Sequence, residues 1–347
     1  MRKNIKTFPC TAAVLLAGAL LFLGDGGSLA ALGQGDSMGR NNSAAGVTGG
    51  GGVERNSGES ASGLYWRIEG EGGGAYVIDG AGNKAPLTGY RRLIVISPGA
   101  VEVLYMIGAE SAIVGVTSGR DPIWPEEKTI LLPSVGNTAR PSLEAIIALE
   151  PDLIIGNGMT AALMADIASR GYTVLLHNAD SLADIFNSTI ILGALTGKEA
   201  EARTLVAEKQ AQLDALKRAL QSRPLNLKGA FLYSANPIMA FTSQSLPGEI
   251  LRILGVENIA GGLNAAQPIL SPEYILAQNP DFLFGAMSIT KPEDILAADS
   301  VIARTRAGME RNISIVPSSL FLRTSPRIVE SLLELYEEIK KYAQPGA

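Results

Sequence analysis

The chain has 347 residues, of which 46% are apolar and 18% charged, with a formal net charge of −5. That length accommodates two domains of ordinary size and a sizeable core. With no clustered basic patch, a nucleic-acid surface is excluded and no nucleic acid is expected among the partners.

The N-terminus reads as an address. Arg2, Lys3 and Lys6 form a positive head, Thr11 to Leu23 is apolar, and Ser28-Leu29-Ala30 offers small residues before a cut at Ala31. This is the layout of a secretory signal over residues 1–30, and its apolar run is too short for the roughly 20 residues that span a bilayer. The chain is therefore expected to be exported, to the periplasm or cell envelope. Cys10 is the only cysteine. It precedes the apolar core, whereas a lipoprotein cysteine follows it. Beyond residue 30 no thiolate ligand and no disulfide is possible. Residues 31–62 are dense in Gly, Ser and Asn and predict a flexible tether, because they bury too little apolar surface to offset ordering entropy. Within residues 63–90, Tyr76-Val77-Ile78 followed by Asp79-Gly80-Ala81-Gly82-Asn83 predicts an N-terminal hairpin.

From residue 91 strands alternate with helices. Strands are predicted at 93–96, 112–116, 153–155 and 173–176. Helices are predicted at 101–107, 143–149, 161–170 and 183–195, stopped by Gly108, by Pro151 and by Gly171. This alternation argues for a parallel sheet covered on both faces, over a lobe spanning 91–196. Lys198 to Gln221 has no Gly or Pro and predicts one helix of roughly 35 Å, within an interlobe segment 197–222. Alternation resumes over 223–347, with strands at 229–233, 282–284 and 313–316 and helices at 248–254, 274–277 and 326–342.

The halves echo each other. Ser142-Leu143-Glu144-Ala145-Ile146 and Pro151-Asp152-Leu153-Ile154-Ile155-Gly156 recur as Ser271-Pro272-Glu273-Tyr274-Ile275 and Pro280-Asp281-Phe282-Leu283-Phe284-Gly285. Ile107-Gly108-Ala109-Glu110 is echoed by Leu254-Gly255-Val256-Glu257. Such internal similarity implies two related lobes joined by the long helix. Ser142 and Ser271 are placed to cap helices, and Glu144 and Glu273 fall in first turns, where the helix dipole alone is sufficient reason for a carboxylate.

These segments, with Arg92 to Pro98 and Glu102, Val114-Gly115-Val116-Thr117, Val135-Gly136 and Leu254 to Ile259, resemble the periplasmic substrate-binding proteins of ABC importers for iron–siderophores, heme and cobalamin. The match runs from about Tyr76 to the C-terminus. The resemblance implies an α/β fold of two Rossmann-like lobes with parallel sheets, joined by one long α-helix, with a ligand cleft between the lobes and only a modest tilt on opening. It implies a monomer that carries a small-molecule metal chelate to the permease subunits of an ABC transporter. It also implies that Glu144 and Glu273 project from the lobe tips to meet arginines of those subunits. No resident cofactor is implied.

Ligands of open α/β sheets bind beyond the C-terminal ends of the strands. That rule selects Ser97, Pro98, Ser118, Arg120, Trp124, Asn157, Met159, Tyr233, Asn236 and Met287. The resemblance adds Asn137, Thr138, Arg140, Gln267 and Arg323. Trp124 suits stacking on a planar ligand, and the arginines suit an anion. Gln267 and Asn157 stand where cobalamin binders of this family carry aromatics, which argues against cobalamin. His177, the only histidine, follows a predicted strand and is either structural or a heme ligand, as is Tyr233. One histidine and no mature cysteine argue against a direct Zn²⁺ or Mn²⁺ cluster.

Three other functions remain open. An oxyanion such as molybdate is bound by some relatives through backbone and hydroxyl donors. A ligand sensor would share this fold, and so would a chelatase-like enzyme. The enzymatic motifs argue against catalysis. Gly193 to Lys198 is one residue short of a phosphate loop and is followed by Glu199 rather than Ser or Thr, and no Gly-x-Ser-x-Gly elbow occurs.

Overall fold

The computed structural model describes residues 66–119, 121–263 and 268–343. The predicted signal peptide and tether lie outside the described residues. So do Arg120 and Gln267.

The described chain opens with a three-stranded antiparallel sheet, β1 (Arg67–Glu69), β2 (Tyr76–Ile78) and β3 (Lys84–Pro86), in that spatial order. The hairpin at 76–86 follows the sequence, and β1 is an additional strand. Asp79 fastens the turn by accepting from the backbone of Ala81 and Asn83.

The first lobe is a six-stranded sheet: β4 (Leu93–Val95), β5 (Ile113–Ser118), β6 (Ser134–Asn137), β7 (Arg140–Pro141), β8 (Leu153–Gly156) and β9 (Val174–Leu176). Its spatial order is β7-β6-β5-β4-β8-β9. All neighbours are parallel except β6 and β7. Its helices are α1 (Pro98–Met106), α2 (Glu126–Thr129), α3 (Leu143–Ala148), α4 (Ala161–Ser169) and α5 (Leu182–Thr196). Successive strand residues point to opposite faces. Leu93, Val95, Leu153, Ile155 and Leu175 therefore join one core. Ile94, Ile96, Ile154, Val174 and Leu176 join the other. Continuous apolar strands are thus the signature of a sheet buried on both sides.

Helix α6 (Glu199–Ser222) connects this lobe to the next. Its 24 residues make a rod of roughly 36 Å, and Ala202, Leu213, Leu216 and Leu220 form its buried stripe. The second lobe carries β10 (Lys228–Ala235), β11 (Ile238–Ala240), β12 (Glu257–Asn258), β13 (Phe282–Gly285) and β14 (Ile313–Ile315). Around them stand α7 (Leu246–Ile253), α8 (Pro272–Gln278), α9 (Pro292–Ala298), α10 (Arg306–Met309), α11 (Ser318–Phe321) and α12 (Ile328–Ile339). β10 pairs in parallel with β12 and β13, β13 with β14, and β11 lies antiparallel to β10. The order β12-β10-β13-β14 reproduces β5-β4-β8-β9, so the repeat seen in sequence is a repeat of topology.

Each echoed residue has a mechanical task. Ser142 accepts from the amide of Ala145, and Ser271 from that of Tyr274, capping α3 and α8. Asp152 accepts from the amides of Arg91 and Arg92 at the foot of β4. Asp281 does the same for Lys228 at the foot of β10. Gly108 and Gly255, at φ 69° and 68°, end α1 and α7 in the left-handed region that favours glycine.

The long connection between β5 and β8 departs from the sequence reading. It contains α2 and the β6–β7 hairpin, neither of which has a periodic apolar run. The final helix is shorter than predicted: residues 322–327 form the bends and turns of a docking segment described below, and the helix ends at Ile339. Among the described residues no helix is long and apolar enough to cross a membrane.

Candidate functional site

The strand ends of the first lobe converge on a cavity of about 560 Å³. Ser97 and Pro98 come from the end of β4, Asn157 and Met159 from the end of β8, and His177 to Asp180 from the end of β9. Thr138 contributes from the β6–β7 turn, and Leu322, Arg323 and Thr324 close the cavity from the second half of the chain. A second hollow of about 490 Å³ lies against α5, α6 and α7. It receives no strand end, so the first is the better ligand site for an open parallel sheet.

Six of the predicted residues meet in this cavity: Ser97, Pro98, Thr138, Asn157, Met159 and Arg323. Met159 is 71% exposed and offers a polarizable apolar surface. Asn157 spends its side-chain oxygen on the amide of Met159, which sets the turn that presents that methionine. The other predicted ligand residues among the described ones stand apart from the cavity. Asn137 and Arg140 form the exposed β6–β7 turn, where Asn137 accepts from the amide of Ala139. Trp124 lies under the guanidinium of Arg327, 4.7 Å from its ring centroid. Tyr233 packs on Phe241 with ring centroids 4.8 Å apart, and burial pushes its hydroxyl pKa up. Its oxygen has no hydrogen-bond partner. Asn236 is exposed in the β10–β11 turn, and Met287 is exposed at the end of β13 with φ 56°.

Two predicted roles change on inspection of the geometry. Arg323 donates to Glu102 at 2.7 Å and to the carbonyls of Asp121 and Pro122 at 3.1 and 2.5 Å. Its charge is therefore already matched within the protein, and an anionic cargo would have to compete for it. His177 reaches the cavity wall but is only 2% exposed. Its Nδ1 lies 2.9 Å from Ser97 Oγ and 3.1 Å from Thr324 Oγ1, and its Nε2 lies 3.2 Å from Ser188 Oγ. Ser188 donates to the carbonyl of Ile185, so it accepts from Nε2–H, and Nδ1 accepts from one of the other two hydroxyls. Both ring nitrogens are thus occupied, and burial lowers the pKa to about 4, which keeps the ring neutral. Heme ligation by His177 would dismantle this arrangement.

Glu144 and Glu273 occupy the first turns of α3 and α8 and are exposed. Neither is needed to cap its helix, because Ser142 and Ser271 do that.

Comparison with known proteins agrees with this architecture. The family model described as periplasmic binding protein matches residues 93–320. The chain belongs to that family. A cobalamin-binding protein of Halobacterium salinarum is 25% identical over 253 residues, covering 70% of this chain and 68% of the relative. The Fe(3+) dicitrate-binding periplasmic protein of Escherichia coli is 31% identical over 180 residues, covering 50% and 59%. Among solved structures, a periplasmic heme-binding protein from Roseiflexus sp. RS-1 superimposes with TM-score 0.66 at 24% identity, covering 74% of this chain and 100% of that one. The two-lobed fold expected from the sequence is thereby established.

In this binding protein, sequence reasoning missed Gly99 and Thr324 in the cavity wall and Glu102 as the anchor of Arg323. Glu102 carried a signal, as a carboxylate flanked by Val101 and Val103 on an otherwise apolar helix. A buried charge of that kind needs a partner, and the sequence does not say which arginine supplies it.

Proposed function

We propose that this protein is the extracytoplasmic binding component of an ABC importer, which captures a metal chelate of the iron–siderophore, heme or cobalamin type and hands it to the permease without altering it. The observation that carries the proposal is the cavity at the strand ends, combined with twin exposed glutamates on topologically equivalent helices. A volume of about 560 Å³ lies within the usual range for small-molecule sites and is far larger than a tetrahedral oxyanion needs. Among the described residues no group of three or more His, Cys, Asp or Glu side chains converges, so a bare cation finds no ligand set there. The relatives are named for binding cobalamin and ferric dicitrate, which supports a chelated cargo.

Glu144 and Glu273 dock the two lobes on the two permease subunits, where charge complementarity sets orientation and on-rate. Residues 1–30 direct export, and residues 31–62 tether the folded part. The working unit is a monomer of two lobes.

Thermal unfolding of the purified protein with hemin, cyanocobalamin and ferric siderophores tests the cargo. A ligand at about 100 times its Kd should add about 2.7 kcal/mol of stability. If none of these chelates raises the midpoint, and native mass spectrometry shows no co-purified chelate, the proposal fails. Glu144→Ala combined with Glu273→Ala should leave cargo affinity unchanged and reduce uptake by cells at least tenfold.

A further inference from the structure

The segment Leu322–Arg327 follows β14 and belongs to the second half of the chain, yet its bonds run to the first lobe. Arg323 donates to Glu102 Oε1 at 2.7 Å and Ser325 to Oε2 at 2.6 Å, while Arg327 approaches Oε1 at 3.4 Å. Glu102 sits on α1 and is only 1% exposed. The remaining donors of Arg323 take the carbonyls of Asp121 and Pro122 in the loop after β5, and Arg327 covers Trp124 in the same loop. Between them Thr324 meets His177. A Cβ on Gly99 would lie 2.7 to 2.8 Å from the Oγ1, N and O of Thr324. The first turn of α1 therefore rests directly on this backbone, and only glycine fits.

Helix α12 begins where this segment ends. At its other end the hydroxyl of Tyr342 lies 2.9 Å from Ser314 Oγ on β14, and Tyr342 stacks on Phe282 of β13 at 5.8 Å. In its first turn, Glu330 pairs with Lys209 of α6. The two lobes are thus spanned by α6 and by α12, and the two spans are cross-linked.

We infer that α12 is a second strut between the lobes, and that Glu102 and His177 are positioning residues that clamp its first-lobe end, so that the cavity floor at Arg323 and Thr324 is assembled before any cargo arrives. A single helix can twist and bend about its length, whereas two cross-linked spans resist both. A buried carboxylate is tolerated only while paired, so Glu102 favours the docked segment over every undocked arrangement. His177 acts through Thr324 in the same way, using neutral hydrogen bonds. The role in shaping a ligand floor rests on the cleft reading proposed above, but the strut itself does not.

The experiment is a double electron–electron resonance measurement of interlobe distance on the full chain without cargo. Spin labels are placed at Ala165→Cys on α4 and Ala297→Cys on α9, in a Cys10→Ser background. The parent should give one narrow distance distribution. Glu102→Gln should broaden it or add a longer component, and Arg323→Lys should give an intermediate result by keeping the charge while losing the carbonyl contacts. If Glu102→Gln does not fold, Thr324→Val breaks only the His177 link and should still broaden the distribution. A folded Glu102→Gln or Thr324→Val variant whose distribution superimposes on the parent's overturns the strut. The same variants are titrated with whichever of hemin, cyanocobalamin or ferric dicitrate stabilises the parent, with a loss of affinity of tenfold or more expected. Lost affinity at unchanged distance refutes the strut and leaves the cleft reading standing. A changed distance in a protein that takes up none of the three probes supports the strut and removes the cleft reading.

Discussion

The two lobes share a frame but fill it differently. In the first, Leu93 of β4 lies in register with Leu153 of β8. In the second, the equivalent pair is Gly229 of β10 and Phe282 of β13. A Cβ on Gly229 would come within 2.4 to 2.7 Å of the Phe282 ring, so the glycine exists to admit the aromatic. Around it Phe231, Phe284 and Tyr342 complete an aromatic cluster, whereas the first sheet is aliphatic. The ends of the last strands differ as well. His177 follows β9, and the topologically equivalent residue after β14 is Val316, which is 1% exposed. Caps and strand anchors repeat because backbone geometry demands them. Core volume and strand-end chemistry need only be satisfied within each lobe, so they diverge, and the divergence concentrates at the cleft.

The largest expected effect tests the core exchange. Gly229→Leu should cost about 3 kcal/mol or more, at the upper end for overpacking, since the rigid ring leaves little room to relax. Adding Phe282→Leu should recover at least about 2 kcal/mol of that loss, read as a coupling in urea unfolding. Simple additivity would show that the two positions do not compensate.

The next effect separates His177 from Val316. Burial lowers the His177 pKa from 6.5 to about 4, so the unfolded chain binds a proton that the folded chain refuses. This contribution to stability is complete above pH 6.5 and is lost as the pH falls toward 4, amounting to roughly 3 kcal/mol. His177→Gln should remove that part of the pH dependence, measured as the difference between the two urea midpoints against pH. Parallel profiles would contradict the neutral buried ring.

The smallest effect distinguishes the paired aspartates. Asp152 is exposed and holds two backbone amides, whereas Asp281, with 12% side-chain exposure, also holds Arg306 at 2.6 Å. Hydrogen bonds to charged groups contribute about 1.5–3 kcal/mol, more when removal strands a partly buried partner. Asp281→Ala should therefore destabilise by about 2 kcal/mol, and Asp152→Ala by about half as much. Equal losses in thermal unfolding would mean that the arginine contributes nothing.

The order of strands and helices, the long helix and the twofold repeat were legible in the sequence. They rest on local rules, namely apolar runs, helix stops, serine caps and a conserved offset between halves. Short elements without apolar periodicity, such as β6, β7 and β11, were not legible, because pairing partners rather than composition define them. At the site, the sequence singled out Ser97, Asn157 and Met159 by their place after strands. It could not show that Arg323 answers Glu102, 221 residues earlier, or that His177 touches Ser97 and Thr324 at separations of 80 and 147 residues. Those contacts depend on how the lobes face each other, and that is set by the packing of α6, α12 and the docking segment. The sequence by itself therefore determined the parts of this protein and their succession, through forces that act within a few residues. Only the tertiary structure decided which charges are spent inside the protein and which groups are left facing the cleft, because pairing a buried charge is a matter of distance in space.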